Sequence, residues 1–218
     1  MSYKPGEKIG PWTVQSATEV YDNAWVRVSD HAVLRPDGSP GQYGVVHFKN
    51  VAVGVLPIDA DGSVCLVGQH RFPLNAYSWE LPEGGAGGED PLAAARRELL
   101  EETGAKAASW APLLECDLSN SVTDERAVCF LAWDLSAGAA NPDPEEALSY
   151  RRLSFSALHD MVLAGEIRDS LTIMMVLSAY AQARAGRLPA EIAKLIRASG
   201  GDHSGRGRTR RGQARSEP

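Results

Sequence analysis

Glu83-Gly84-Gly85-Ala86-Gly87-Gly88-Glu89-Asp90-Pro91, followed by Leu92-Ala93-Ala94-Ala95-Arg96 and then Arg97-Glu98-Leu99-Leu100-Glu101-Glu102-Thr103-Gly104, reads as a glycine-rich turn running into one helix. Asp90 suits the N-cap and Pro91 the first helical position. Gly104 suits the left-handed residue past the last turn. On such a helix Glu98, Glu101 and Glu102 stand at i, i+3 and i+4 and share a face. Like charges at that spacing repel, and a cation among them converts the cost into a gain. Hard oxygen ligands that leave water on the ion suit Mg²⁺ or Mn²⁺. Leu92, Ala95 and Leu99 form an apolar stripe beside the acidic edge, so the spacing predicts a packed helix with one face toward metal.

This stretch resembles the signature of the Nudix hydrolases. From Glu89 onward the match is complete: Glu89, seven residues, Arg97-Glu98-Leu99-Leu100-Glu101-Glu102-Thr103-Gly104-Ala105. The front end departs. Only four residues separate Gly84 from Glu89, and Glu83 stands where the strict spacing has glycine. We read this as a one-residue deletion in the loop, where length changes are tolerated. The resemblance covers about residues 45–180.

The fold implied is α/β: a Nudix-type α/β/α sandwich around a mixed sheet, preceded by an N-terminal antiparallel β extension. Residues 1–50 resemble the extension of ADP-ribose pyrophosphatases, which in that branch builds a homodimer interface. Residues 51–198 would form the catalytic domain and 199–218 a disordered basic tail. Leu163-Ala164-Gly165-Glu166-Ile167-Arg168-Asp169 before an apolar helix is similar to the same branch.

Along the chain, Trp12–Val20, Ala24–Leu34 and Tyr43–Lys49 favour strands, with a turn at Arg35-Pro36-Asp37-Gly38. Val51–Ile58 and Val64–Gly68 are expected to pair as a hairpin across Asp59-Ala60-Asp61-Gly62. Ser78–Leu81, Ala111–Asp117, Ala127–Leu135 and Leu148–Phe155 read as further strands. Helices are expected from a Ser156 cap to about Ala164, from Asp169 or Ser170 to about Ala183, and over Pro189–Ala198.

Breaking a diphosphate requires neutralising negative oxygens and activating water near neutral pH, which divalent ions do. Glu98, Glu101 and Glu102 are the expected metal ligands. The family resemblance adds the main chain at Glu83 as a further ligand, and Gly84 and Gly85 let the chain approach the diphosphate. It also implies that Arg97 orients a box glutamate and that Arg71, in Gln69-His70-Arg71-Phe72-Pro73, contacts substrate phosphate. Two regions offer a catalytic base: Glu145 and Glu146 in a proline-containing loop, and Glu125 in Thr123-Asp124-Glu125-Arg126. The implied reaction is Mg²⁺-dependent hydrolysis of a nucleoside-diphosphate sugar, ADP-ribose first, with a broader sugar-nucleotide hydrolase as the alternative. A sensing domain without turnover would have lost box carboxylates, and all three are present.

Composition agrees. The chain of 218 residues carries 44% apolar and 23% charged residues and a formal net charge of −6. Its acidity argues against general nucleic-acid affinity. The last 20 residues differ: five arginines against Asp202 and Glu217 give about +3, leaving about −9 elsewhere. An inert solvated tail or a contact with RNA both fit that composition. Cys65, Cys116 and Cys129 form no Cys-x-x-Cys pair, as expected of a reducing, cytoplasmic compartment. No bilayer-length apolar run is present, so no membrane partner is expected.

Overall fold

A computed structural model describes residues 3–138 and 148–198. The N-terminal strands β1 (Lys8–Ile9), β2 (Trp12–Asp22), β3 (Val26–Leu34) and β4 (Pro40–Phe48) form one antiparallel sheet in chain order. Gly38 N donates to Arg35 O at the β3–β4 turn, where Gly38 takes the left-handed φ that the tight reversal needs.

Two further sheets carry the catalytic domain. β5 (Ala52–Pro57) lies between β8 (Glu83–Gly85), antiparallel, and β10 (Glu125–Ala137), parallel; β10 pairs in turn with β9 (Ala105–Leu118). β6 (Ser63–Arg71) lies between β11 (Ser149–Ser154) and β7 (Ala76–Glu80). The expected hairpin of β5 with β6 is therefore corrected: the Asp59–Gly62 turn forms, but it hands the chain from one sheet to another. Both edges of β5 are already taken. Val53, Val55 and Leu56 are fully buried, so this strand is covered on both faces, unlike a surface hairpin.

Helix α1 (Pro91–Thr103) packs Ala94, Ala95 and Leu99 on Val53, Val55, Phe130 and Ala132. On the opposite side α3 (Ser170–Arg184) sets Met175, Val176 and Ala179 against Leu56, Cys129 and Leu131, joined by α2 (Phe155–Leu163) and α4 (Ala190–Ala198). This is the expected α/β/α layering. Within the stripe predicted for α1, Ala95 and Leu99 are buried and Leu92 only half so. Ser154, not Ser156, caps α2, accepting from Ala157 N at 3.2 Å. Asp169 caps α3, accepting from Thr172 N at 2.6 Å. No described helix is long and apolar enough to cross a membrane.

Candidate active site

The glycine loop and α1 build the site from local rules. Asp90 accepts from Leu92 N and Ala93 N, both at 3.1 Å, and Gly104 closes the helix at φ 69°. Asn50 Oδ1 accepts from Gly87 N at 2.6 Å, and Ala86 N donates to Val51 O, so the loop is sewn to the start of β5. A Cβ on Gly84 would overlap the Glu98 carboxylate, and one on Gly85 the Asn50 amide. Both glycines thus admit neighbouring polar side chains of this chain to the main chain.

The acidic face is not uniform. Glu102 is 3% exposed and accepts from Glu83 N at 3.1 Å, which ties the helix to β8. Glu98 is nearly buried, whereas Glu101 is more than a third exposed. Arg97 spans the group: Nη1 donates to Glu98 Oε1 and Glu101 Oε2, both at 2.9 Å, Nη2 to Gly85 O at 2.9 Å, and Nε to Glu89 Oε1 at 3.3 Å.

On the far side of Glu83 lies a second acidic group. Glu80, Glu83 and Asp169 each bring one carboxylate oxygen within 4.8 Å of the others; among the described residues Glu98, Glu101 and Glu102 do not close up so tightly. Arg71 forks onto Glu80, with Nε donating at 3.0 and 3.1 Å, and reaches Glu83 Oε1 at 3.3 Å. These bonds and charges outweigh the cost of its burial and hold the guanidinium charged. Glu83 Oε2 is buried with no hydrogen-bond partner. Burial first, then repulsion from Asp169 and Glu80, pushes the Glu83 carboxyl well above its ordinary value, against the pull of Arg71.

A cavity of about 560 Å³ opens over these groups, with Arg71, Glu83, Gly84, Glu125 and Asp169 among its lining residues. The structure thereby brings together residues that lie far apart in the chain. Glu125 faces the cavity, and burial raises its carboxyl above the ordinary glutamate value. Of the other expected site residues, Gly85, Arg97, Glu98, Glu101 and Glu102 are not among the lining residues. Glu145 and Glu146 lie outside the described residues, as does the basic tail. Sequence reasoning missed Glu80, Asp117 and Asp169 as site residues. Asp169 was visible only as a helix cap, and nothing in the spacing of Glu80 sets it apart from a surface strand acid.

The donor set fits a hard divalent cation: clustered carboxylates, one with an orphaned buried oxygen.

The description "NUDIX domain" matches residues 48–172, and "Nucleoside diphosphate sugar hydrolase N-terminal domain" matches residues 12–46. The chain is 34% identical over 141 residues to an ADP-ribose pyrophosphatase of Mycobacterium tuberculosis, covering 63% of this chain and 67% of that protein. It is 29% identical to a methanol dehydrogenase activator of Bacillus methanolicus, covering 72% and 86%. A solved structure described as an ADP compounds hydrolase superposes with a TM-score of 0.73 at 19% identity, covering 84% of this chain and 100% of that one.

Proposed function

The chain belongs to the NUDIX family, and on that premise we propose that it hydrolyses the diphosphate of a nucleoside-diphosphate sugar, ADP-ribose being the leading substrate and AMP with ribose 5-phosphate the products. The observation that carries this reading is the cavity that gathers Arg71, Glu83, Gly84 and Glu125. Cation, carboxylates and open main chain are what a diphosphate with its counter-ion needs. The relatives named as ADP-ribose pyrophosphatases support the same substrate class.

In this reading Glu83, Glu98, Glu101 and Glu102 would hold Mg²⁺ or Mn²⁺. When bound, the ion supplies charge neutralisation at the diphosphate and lowers the pKa of attacking water. Arg97 keeps Glu98 and Glu101 from collapsing onto other partners. Arg71, already fixed by Glu80, presents its remaining charge to a phosphoryl oxygen, and the main chain of Gly84 and Gly85 is proposed to approach the diphosphate, Gly84 from the cavity wall. Glu125 accepts the proton of the attacking water, helped by a basicity that burial raises. The water oxygen bonds to phosphorus, the bridging P–O bond breaks, and the leaving phosphate carries the electron pair away. The N-terminal sheet, whose residues 12–46 match the nucleoside diphosphate sugar hydrolase N-terminal domain, is proposed to build a homodimer.

A panel of diphosphate compounds with Mg²⁺ or Mn²⁺, products separated by chromatography, tests the reading. AMP from ADP-ribose with little turnover of nucleoside triphosphates is expected. Equal turnover of GDP-mannose and similar compounds would move the assignment to a broad sugar-nucleotide hydrolase. No cleavage of any diphosphate would overturn it.

A further inference from the structure

We infer that His47 and Asp124 are positioning residues that lock the segment leading into β10 and so set Glu125 over the diphosphate cavity. This rests on the role given to Glu125 above. The seam between the N-terminal sheet and this segment is built as a clamp. Val46 pairs in parallel with Thr123, Val46 N donates to Val122 O at 2.9 Å, and Asp124 N returns to Val46 O at 3.3 Å. The Asp124 carboxylate takes two donors from β4: His47 Nδ1 at 2.8 Å on one oxygen and Phe48 N at 2.8 Å on the other. The next residue, Glu125, lines the cavity.

His47 is itself held from behind. It is 4% exposed, and Ser29 Oγ lies 2.9 Å from its Nε2. Burial opposes ionisation of Asp124, but the bonds from His47 and Phe48 N prevail and keep its carboxyl below the ordinary aspartate value. An ionised carboxylate only accepts, so Nδ1 carries the proton toward it, and Nε2 shares a hydrogen bond with the Ser29 hydroxyl. Serine, imidazole and carboxylate thus form one chain across the seam. Ser29 and His47 are buried while Asp124 is 44% exposed, so losing the link on the buried side leaves a desolvated ring nitrogen and favours the single geometry that satisfies it. The ordinary role of such an extension is assembly; here it also reaches into its own chain's active site. Displacing a catalytic group by about 1 Å costs on the order of a hundredfold in rate, so a clamp on its neighbour shows in turnover.

The test compares His47→Ala, His47→Asn, Asp124→Asn, Glu125→Gln and the double variant His47→Ala/Glu125→Gln in the full chain. Asparagine keeps an N–H where Nδ1 stands. His47→Ala is expected to lower kcat about tenfold with KM within about twofold, to speed hydrogen exchange at Val46, Phe48 and Asp124, and to leave exchange in β5 and α1 unchanged. His47→Asn should recover most of the loss, and Asp124→Asn should fall between. In the Glu125→Gln background His47→Ala should add little. An undiminished His47 effect in that background, or unchanged exchange at the seam, would overturn the clamp. Glu125→Gln at wild-type rates would instead remove Glu125 from the proposed chemistry; with the exchange change intact, the clamp would survive as a structural tie alone.

Discussion

Replacing Glu102 by glutamine isolates the charge of one carboxylate from its shape. The residue is 3% exposed and accepts from Glu83 N at 3.1 Å. A glutamine Oε1 keeps that bond, so the α1–β8 junction holds. The bond falls from a charge-assisted to a neutral one, a difference of about 1 kcal/mol. Against this, the change removes a negative group that repels Glu83. Metal-free stability should therefore change by about 1 kcal/mol or less, about 2–4 °C in Tm for a chain of this size. The loss appears on ion binding. We expect kcat/KM with Mg²⁺ to fall at least about a hundredfold, about 2.7 kcal/mol of transition-state stabilisation. Saturating Mg²⁺ should raise the wild-type Tm, since an ion at about a hundred times its Kd contributes about 2.7 kcal/mol, and the variant should lose most of that rise. Steady-state kinetics and thermal melts with and without EDTA read both quantities. A variant within about threefold of wild-type kcat/KM, with its Mg²⁺-dependent rise intact, would refute the reasoning.

Arg71→Ala strands Glu80, which is 2% exposed, without its forked partner. We expect a loss of about 2 kcal/mol, at the low end for a broken buried pair because Arg71 is itself a third exposed. Urea midpoints check it, and Arg71→Lys should recover part of the stability but less of the turnover. Gly84→Ala drives a methyl into the Glu98 carboxylate, so turnover should drop about tenfold or more while far-UV dichroism is unchanged; wild-type rates would show that Glu98 moves freely. Asp124 has a folded pKa below its ordinary 3.8, so the stability it contributes is complete above that value and is lost as pH falls through the lower folded one. Asp124→Asn should accordingly shrink the difference in urea midpoint between about pH 5 and pH 3. Burial pushes the Cys129 thiol up to about 12, so native protein should leave Cys129 unlabelled by a thiol reagent at pH 8 that labels it after unfolding.

How much of this was legible in the sequence follows the range of each interaction. The turn, cap, helix and closing glycine of residues 83–104 are local and form as expected, with Asp90, Pro91 and Gly104 in their roles. The layers were readable through the family resemblance that residues 83–105 carry, and the unalternating apolar run from Val53 to Leu56 fits them, being covered on both faces. Which strand pairs with which was not. The Asp59–Gly62 turn is a good hairpin turn, but the edge of β5 that it would feed binds β8 and β10 more profitably, and only the assembled sheet decides that. Within the site the carboxylates of one helix were found because they repeat at helical spacing. Glu80 and Asp169 come from a strand and a loop 89 residues apart and meet Glu83 only after folding. No local pattern distinguishes them. Likewise Arg71 could be named, but its fork onto Glu80 depends on the register of β6 with β7, which sets Arg71 opposite Ala76.

The charges gathered here also explain why the site needs so much scaffolding. Glu80, Glu83, Glu89, Glu98, Glu101, Glu102 and Asp169 surround two guanidiniums, Arg71 and Arg97, a formal excess of five negative charges in a partly desolvated space. Each arginine spans two or more carboxylates, which is as far as two cations can spread their charge, and the orphaned oxygen of Glu83 marks where it runs out. Such repulsion opposes folding. It can be sustained because α1 and β8 are also fastened away from the cluster: by the Asp90 cap, an apolar face on Val53 and Val55, and the Asn50 bridge to the loop. Glu102 belongs to both sets, the fastenings and the carboxylates, since it accepts from Glu83 N while facing the ion site, so a divalent cation meets carboxylates already in place and its binding energy is not consumed in ordering them.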